Sequence, residues 1–395
     1  MPISQRAANV AVSATGAITE RAKELAASGL DVISFGAGEP DFPTPDHIVS
    51  AAIEAVRNPI NHKYSPAAGL PQLREAVAGT ATASALAVNA KQVLITNGAK
   101  TAVYIAFQTL LDPGDEVLVP APYWVSYPEI IKLADGTPVP VFAGVGQGYK
   151  VSVDQLEAAV TDKTKALLFV SPSNPTGAVY SGDEVKAIGE WAAQRGLWVV
   201  TDEIYEHFTY GTEFASLPVT VPAAAERTIV INGVSKAYSM TGWRVGWLIA
   251  PPEAAAAAIR LQSQISTNVS NVSQRAAVAG LEAGSGHPDM MRAAFDARRQ
   301  VMYEALSDID GIVCPNPQGA FYMFPDVSAL IGRELAGTKI TSSHHLAELA
   351  LEAAQVAVVP GEPFGAPGHV RFSFALDDAD LQRGMDRFVS FASGR

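Results

Sequence analysis

The middle of the chain alternates between short apolar runs and amphipathic stretches, and this alternation restricts the fold more than any other feature. The apolar runs have the length and β-branched composition of buried strands, and they fall at residues 92–96, 116–120, 138–142, 165–170, 198–201 and 228–232. Helical stretches lie between them, at 101–111, 153–160 and 183–195 among others. Strands separated by helices predict an α/β domain with a mostly parallel sheet that is covered on both faces.

A seventh strand is predicted at residues 245–250. It follows the strand at 228–232 too closely for a helical crossover, which a parallel neighbour would need. We therefore expect it to be antiparallel in a seven-stranded mixed sheet.

The pattern changes from about residue 284. A long helix is predicted at 289–306, followed by short strands near 311–314 and 320–325, a helix at 344–354, and strands at 356–359 and 370–373. These elements predict a separate, smaller α+β domain. Residues 332–343 are polar and are expected to form a loose loop. The glycine-rich stretch 144–148 follows a strand without opening a clear helix, which favours a flexible turn over a nucleotide-binding loop.

Composition and charge limit the class of protein. The chain has 395 residues, enough for two or three domains, and 48% of them are hydrophobic against 17% charged, which allows a sizeable core. No apolar run approaches the eighteen or so residues of a membrane-spanning helix, and the first residues lack the apolar core of a signal peptide. With Cys314 as the sole cysteine, intrachain disulfides are impossible. We expect a cytoplasmic protein with no membrane partner.

The formal net charge is −12. A nucleic-acid-binding protein would carry a basic face, and none is visible, so no nucleic acid partner is expected. An anionic substrate would have to be attracted by local lysines and arginines.

Five candidate functional residues follow the carboxyl ends of predicted strands. They are Gly98, Trp124 (with its neighbour Tyr123), Asn174, Asp202 and Lys236. Open α/β sheets bind ligands at that edge, so this placement predicts one shared site. No metal site is predicted there.

A phosphate-binding site is predicted beside this group. Gly98, Ala99 and Lys100 follow a strand and open a helix, whose free amide groups suit a phosphate. Glycine lets the backbone approach the ligand closely. Ser235 and Arg244 lie close in sequence to the candidate lysine and add a hydroxyl donor and a positive charge.

Four segments carry the strongest signal, although each has a plainer interpretation. The segment 230–246 holds Lys236, which on its own fits a loop lysine before a Thr-Gly turn. The segment 166–177 ends in an Asn-Pro-Thr-Gly turn. In the segment 197–205, Asp202 follows an apolar run and would suit a helix N-cap. In the segment 370–375, Arg371 would suit a surface charge on an edge strand. Together and in this order, the four segments resemble the class I aminotransferases that use pyridoxal phosphate, and are most similar to the bacterial aspartate aminotransferase branch.

The resemblance extends over nearly the whole chain, from about Ser13 to the last helix. It implies a large pyridoxal-phosphate-binding domain at 46–285 and a small domain made of 1–45 and 286–395, with residues 31–37 in the small domain. It also implies a homodimer with shared active sites, since Tyr64 matches a tyrosine that reaches the phosphate of the partner subunit.

The resemblance assigns the cofactor contacts. Lys236 would hold the pyridoxal phosphate as an imine and then move the α-proton of the substrate, which requires a lowered pKa. Asp202 would pair with the pyridine nitrogen, while Tyr205 and Asn174 would donate to the phenolic oxygen of the ring. Trp124 would stack on its face. For Tyr205 and Trp124, a purely apolar core role is the alternative.

The resemblance also assigns the substrate contacts. Arg371 would bind the α-carboxylate through two parallel hydrogen bonds, with a backbone contact from Gly38. Asn174 and Trp124 would lie against the same substrate. Lys100 would bind the distal carboxylate of aspartate or glutamate, with Ser13 assisting.

The expected reaction is amino transfer between L-aspartate and 2-oxoglutarate, with amino acids and 2-oxo acids as the small-molecule partners. Relatives that use prephenate carry a lysine where this chain has Ala11, which weakens that interpretation. Aromatic, alanine, kynurenine and prephenate or arogenate transamination stay open, as do decarboxylation and β-elimination. A ligand-sensing regulator would need a basic DNA-binding module, and a nicotinamide-dependent dehydrogenase would need a glycine-rich fingerprint; neither feature is present.

Overall fold

The computed structural model describes residues 3–11 and 14–394. The strands in these ranges are β1 (Ile33–Ser34), β2 (Val93–Thr96), β3 (Glu116–Ala121), β4 (Thr137–Phe142), β5 (Thr164–Val170), β6 (Trp198–Asp202), β7 (Thr228–Gly233), β8 (Gly246–Ile249), β9 (Tyr322–Met323), β10 (Glu334–Leu335), β11 (Thr338–Lys339), β12 (Val356–Ala357), β13 (Val359–Pro360) and β14 (Val370–Ser373).

Helices surround the strands. The α-helices are α1 (Gln5–Ala8), α2 (Ala14–Ala27), α3 (Asp46–Arg57), α4 (Pro71–Ala78), α5 (Ala81–Ala85), α6 (Ala99–Leu110), α7 (Ser126–Leu133), α8 (Val153–Ala159), α9 (Gly182–Arg195), α10 (Leu217–Thr220), α11 (Pro222–Ala225), α12 (Pro252–Ile265), α13 (Asn271–Glu282), α14 (Gly286–Ser307), α15 (Ser343–Ala354) and α16 (Asp378–Ala392). Short 3₁₀ helices lie at Pro59–His62, Ala90–Gln92, Val145–Gln147, Thr241–Trp243, Ser328–Leu330 and Glu362–Phe364. No helix within the described ranges has the length and apolar character to cross a membrane.

The large sheet has seven strands in the order β2-β8-β7-β6-β5-β3-β4. β8 is antiparallel to both of its neighbours, while the pairs β3–β4, β3–β5, β5–β6 and β6–β7 are parallel. The seven-stranded mixed sheet expected from the sequence is therefore confirmed, including the antiparallel direction of β8.

The edge position of β4 explains how a strand with two prolines fits this sheet. Pro138 and Pro140 lie in β4, which pairs only with β3. Proline has no amide hydrogen to donate to a ladder, so it is confined to edge strands or bulges. β4 thus closes one side of the sheet, while the buried β5, β6 and β7 form its centre.

Side chains alternate between two apolar layers along the central strands. In β5, Leu168 packs in one cluster with Phe107 of α6, whereas Leu167 and Phe169 pack in another with Ile188 of α9. Strand side chains point to opposite faces at successive positions. The near-continuous apolar runs in the sequence therefore reflect burial of both faces beneath helices.

A second group of small sheets forms from the two ends of the chain. β13, β14 and β9 form an antiparallel sheet, and β1 from the N-terminal segment pairs in parallel with β12. A large aromatic cluster fills the space between this group and α14, α15 and α16; it includes Phe35, Phe295, Phe321, Phe372 and Phe374. The mixed α+β character expected for this part is present, and the boundaries at 45/46 and 285/286 stay a prediction.

Three local expectations need correction. Residues 332–343 do not form a loose loop, because β10 and β11 make a hairpin whose turn places Ala336 and Gly337 at φ 46° and 75°; two left-handed residues are what a tight hairpin of this kind needs. Residues 311–314 form no strand, only an isolated bridge from Val313 to Asp326. The stretch 144–148 contains a 3₁₀ helix ended by a left-handed Gly148.

Candidate active site

A cavity of about 720 Å³ lies at the carboxyl ends of the parallel strands. It brings together most of the predicted site residues, which are Gly38, Ala99, Lys100, Trp124, Asn174, Asp202, Tyr205, Ser235, Lys236, Arg244 and Arg371. Most of them lie at the end of β6 or in the segments that follow β2, β3, β5, β6 and β7; Gly38 follows β1, and Arg371 lies on β14. The open end of a mostly parallel sheet thus gathers them as the sequence predicted.

Lys236 lies three residues beyond the end of β7. Its Nζ donates a 2.5 Å hydrogen bond to the carbonyl oxygen of Gly38. The pKa of this amine is lowered to about 8, chiefly by loss of hydration; Arg371 and Arg244 contribute to the lowering, and Glu39 and Asp202 oppose it. The amine is consequently close to the balance between charged and neutral forms near neutral pH, as a proton-transfer group requires.

Asp202 is the last residue of β6 and is buried. Its Oδ2 accepts a 2.9 Å hydrogen bond from the Tyr127 hydroxyl, and its Oδ1 accepts one of 3.2 Å from the Ile204 amide. Burial raises the pKa of this carboxyl to about 6, although both hydrogen bonds and Lys236 lower it. A turn rather than a helix follows, so Asp202 does not cap a helix.

The start of α6 forms a cradle with room for an anion. Gly98 precedes α6 with φ 79°, and a side-chain carbon at this position would lie 2.4 Å from Nη2 of Arg244. Arg244 donates to the Thr241 carbonyl at 2.8 Å and to the Asn97 carbonyl at 3.3 Å. The positive φ favours glycine here, and without a side chain at this position the guanidinium can lie against the helix terminus, where unpaired amides attract anions.

Arg371 lies on β14 and is 2% exposed. Its Nη1 donates to Oδ1 of Asn174 at 3.0 Å, and its Nη2 donates to the Gly36 carbonyl at 2.9 Å. Its Nε has no hydrogen-bond partner among the described residues, and no carboxylate in the described ranges forms a salt bridge with this guanidinium. A buried cation without a counter-charge is costly, and an incoming carboxylate would supply both the charge and the missing acceptor.

Trp124 and Lys100 form one side of the cavity. The Trp124 ring meets the Tyr127 ring edge to face, with centroids 5.1 Å apart. Lys100 is exposed, but its Nζ lies 4.8 Å from the centroid of the Trp124 ring. Desolvation there lowers the pKa of Lys100, with a smaller contribution from Arg244.

Two predicted residues lie outside this group. Tyr64 is 90% exposed and does not line the cavity of its own chain. Ser13 falls outside the described residues. Both assignments stay predictions.

Several residues that line the cavity were not predicted from the sequence. Tyr127, Tyr322 and Glu39 are among them, and Glu39 accepts a 2.7 Å hydrogen bond from Thr241. Tyr127 lies in the first turn of α7, whereas Trp124 precedes that helix, so the available signal was only the closeness of the two residues in sequence. Tyr322 had no local signal, since only the pairing of β9 with β14 brings it to the site.

Comparisons with known proteins agree with this geometry. The family model described as aminotransferase class I and II matches residues 30–388. The chain is 56% identical to the aspartate aminotransferase of Streptomyces avermitilis, over 99% of this chain and 96% of that protein. It is 43% identical to the aspartate/prephenate aminotransferase of Cereibacter sphaeroides, over 99% of both.

The fold has close counterparts among solved structures. The aspartate aminotransferase of Thermus thermophilus, solved with maleate, matches with a TM-score of 0.92 at 38% identity, over 99% of this chain and 100% of that chain. The family model matches most of the chain, and the relatives are similar over nearly their whole length. The chain belongs to the class I and II aminotransferase family.

Proposed function

We propose that this aminotransferase moves the amino group between L-aspartate and 2-oxoglutarate, giving oxaloacetate and L-glutamate by a ping-pong mechanism. The observation that carries the proposal is the arrangement around Gly38. The carbonyl of Gly38 accepts from the Lys236 amine, and the carbonyl of Gly36, two residues earlier, accepts from Arg371. A proton-transfer amine and a carboxylate-binding guanidinium are thereby both held by carbonyls of one short segment.

We propose pyridoxal phosphate as the cofactor, because the residues present fit its parts. The cradle at Gly98 and Arg244, with Ser235 beside it, suits a phosphate. Asp202, buried at the end of β6, suits a protonated ring nitrogen, whose positive charge would favour the ionised form of this carboxyl. Pyridoxal phosphate supplies an aldehyde that condenses with amines and a ring that accepts the electrons released at the α-carbon.

The residues around the ring have separate tasks in this proposal. Lys236 binds the cofactor covalently and later takes up and returns the α-proton through its Nζ. Asp202 keeps the proton on the ring nitrogen, Tyr205 and Asn174 donate to the phenolic oxygen, and Trp124 covers one face of the ring.

Substrate binding is assigned to the other side of the cavity. Arg371 binds the α-carboxylate, with the backbone of Gly38 and the Asn174 amide alongside. Lys100 binds the distal carboxylate, and its position over Trp124 supports this, since its Nζ lies above the same ring that covers the cofactor. Ser13 keeps its predicted assisting contact.

Prephenate is the second candidate substrate. Its support is that several relatives, including the Cereibacter sphaeroides protein, are named aspartate/prephenate aminotransferases. Ala11 stands where a lysine is expected for that activity, which favours aspartate. Aromatic, alanine and kynurenine substrates fit the same scaffold and are included in the test below.

We also propose a homodimer with shared sites. Four exposed apolar side chains are grouped on α3 and the segment after it: Ile53, Val56, Ile60 and Tyr64, with exposed fractions of 48%, 55%, 67% and 90%. Several exposed apolar side chains within one short stretch of chain favour an interaction site. A second copy would cover it and bring Tyr64 to the phosphate of its partner. We further propose that the protein is cytoplasmic. Its large domain would comprise residues 46–285, and its small domain residues 1–45 and 286–395.

A single-turnover absorbance scan tests the proposed reaction. The cofactor-loaded protein is mixed separately with aspartate, glutamate, alanine, phenylalanine, kynurenine and arogenate, and the conversion of the cofactor to its amine form is followed. Rapid conversion by aspartate and glutamate alone supports the proposal. Conversion mainly by the aromatic or neutral amino acids would show that the enzyme uses those donors instead of aspartate. Conversion by none of them would overturn aminotransfer with these donors.

A further inference from the structure

Tyr322 contacts two residues of the cavity that have different proposed tasks, Tyr205 and Arg371, and has no task of its own in the proposed function. It lies on β9 opposite Ser373 of β14 and is 1% exposed. Its hydroxyl is 2.9 Å from the Tyr205 hydroxyl. Its ring faces the guanidinium of Arg371, whose Cζ lies 4.4 Å from the ring centroid.

The position of the Tyr322 hydroxyl is closely defined. A side-chain carbon added at Gly38 would lie 3.0 Å from this oxygen, so the segment that accepts from Lys236 also packs against it. The ring meets the Tyr205 ring edge to face, with centroids 5.8 Å apart. The hydroxyl therefore has little freedom to turn away from Tyr205.

The direction of the hydrogen bond follows from the proposed use of Tyr205. A phenol has one proton to donate and can also accept. If Tyr205 donates its proton to the phenolic oxygen of the cofactor, its own oxygen is free to accept, and Tyr322 must be the donor. Burial raises the pKa of both phenols, so each keeps its proton at neutral pH.

The ring of Tyr322 has a second, separable effect. The face of a phenol ring attracts a guanidinium, and more strongly when both are desolvated. The two hydrogen bonds of Arg371 to Asn174 and Gly36 come from its Nη atoms, and the ring supports the plane of the group from one side.

We propose that Tyr322 is a positioning residue that directs the Tyr205 hydroxyl toward the cofactor and holds the Arg371 guanidinium in its carboxylate-binding orientation. This proposal rests on the proposed function, in which Tyr205 donates to the cofactor. A chain of hydrogen bonds polarises its members, so Tyr322 strengthens the donation from Tyr205.

Tyr322→Phe tests the hydroxyl, because it keeps the ring under Arg371. The readout is the pH at which the absorption spectrum of the bound cofactor changes, which needs no turnover. A donor to the phenolic oxygen stabilises its more negative, deprotonated form, so weakening that donor raises the midpoint. We expect Tyr205→Phe to raise it by about one pH unit and Tyr322→Phe by about 0.3.

The double variant Tyr205→Phe/Tyr322→Phe separates an indirect role from a direct one. If Tyr322 acts through Tyr205, adding Tyr322→Phe to Tyr205→Phe produces no further shift. An equal shift in both backgrounds, or no shift from Tyr322→Phe alone, overturns the proposal. No shift from Tyr205→Phe would overturn the proposed role of Tyr205 and this inference with it, so the two failures are distinguishable.

Binding of succinate, an unreactive dicarboxylate, tests the ring. We expect its Kd for the cofactor-loaded protein to stay within about twofold in Tyr322→Phe and to rise about three- to tenfold in Tyr322→Leu. Tyr322→Met replaces the leucine variant if that protein does not fold. An unchanged Kd in the variant without the ring overturns the part of the proposal that concerns Arg371.

Discussion

The Tyr127 hydroxyl donates a 2.9 Å hydrogen bond to Oδ2 of Asp202, and both side chains are buried. The bond joins the start of α7 to the end of β6, two elements that the sequence keeps 75 residues apart. A hydrogen bond to the charged form of a carboxyl lowers its pKa. Tyr127 therefore limits how far burial raises the pKa of Asp202, which stands at about 6.

Tyr127→Phe is expected to raise the pKa of Asp202 by roughly 0.5–1 unit, because it removes this donor. If binding of pyridoxal phosphate needs an ionised Asp202, lowering the pH weakens it. In the variant this weakening should begin at a higher pH than in the natural protein. The measurement is the Kd for the cofactor between pH 5 and pH 8. Tyr303→Phe, at a partly buried tyrosine outside the cavity, is the control; identical profiles for the two variants would contradict the prediction.

Lys236→Ala is expected to keep the fold and to lower turnover by at least about 10³-fold, because the variant has no amine to bind the cofactor or move the α-proton. Circular dichroism checks the fold, and a coupled assay checks turnover. Reduction with borohydride should fix the cofactor covalently to the natural protein and to Lys91→Ala, an exposed-lysine control, but not to Lys236→Ala. Mass spectrometry detects the added mass. Near-normal turnover in Lys236→Ala would remove this lysine from the mechanism.

Lys100→Ala is expected to lower kcat/KM for aspartate and glutamate by about 10²-fold and to change it within about threefold for alanine, which has no distal carboxylate. Parallel assays of the three donors measure the difference. Since Lys100 also lies near the phosphate cradle, the Kd for the cofactor is measured alongside. An equal loss for all three donors would argue for a phosphate contact instead.

Glu203→Gln is expected to stabilise the protein at alkaline pH. Glu203 is buried, its Oε1 accepts from Ser216 at 2.8 Å, and its Oε2 has no partner among the described residues. Burial, reinforced by Glu206, raises the pKa of Glu203 to about 8 from 4.5. The stability that this protonated carboxyl contributes is thus fully present below about pH 4.5 and is lost as the pH rises through about 8.

Urea denaturation at fixed protein and cofactor concentrations measures this effect. The two proteins should have similar free energies of unfolding at pH 5, and the glutamine variant should be more stable by on the order of 2 kcal/mol at pH 8.5. Glu226→Gln, at an exposed position, controls for the loss of a negative charge. A pH-independent difference between natural protein and Glu203→Gln would show that the carboxyl is ionised throughout.

Val56→Asp is expected to separate the proposed dimer, because a desolvated charge at an apolar interface costs several kcal/mol. Light scattering after size exclusion gives the mass, and activity at several protein concentrations shows whether the site needs both chains. Val313→Asp changes an apolar residue that is similarly exposed, at 53%, away from α3. If Val56→Asp keeps the mass of the natural protein, the interface lies elsewhere.

The family and the main sheet were predictable because their signals are local. Each strand of the large sheet is a short apolar run, and the glycine, lysine and arginine positions at 98, 236 and 244 lie in short motifs whose spacing survives without any tertiary contact. The hairpin at β10 and β11 was missed for the opposite reason. Its strands have two residues each, too few for an alternating pattern to show.

The sequence by itself determined the order of strands and helices, the seven-stranded sheet and the set of residues that follow its strand ends, since period and turn chemistry act over a few neighbouring residues. Only the tertiary structure decided which polar groups are paired and how far their pKa values move. Tyr127 meets Asp202, and Tyr322 meets both Tyr205 and Arg371, across separations of 75, 117 and 49 residues in the chain. Desolvation and hydrogen bonding depend on that three-dimensional proximity, which no local pattern encodes.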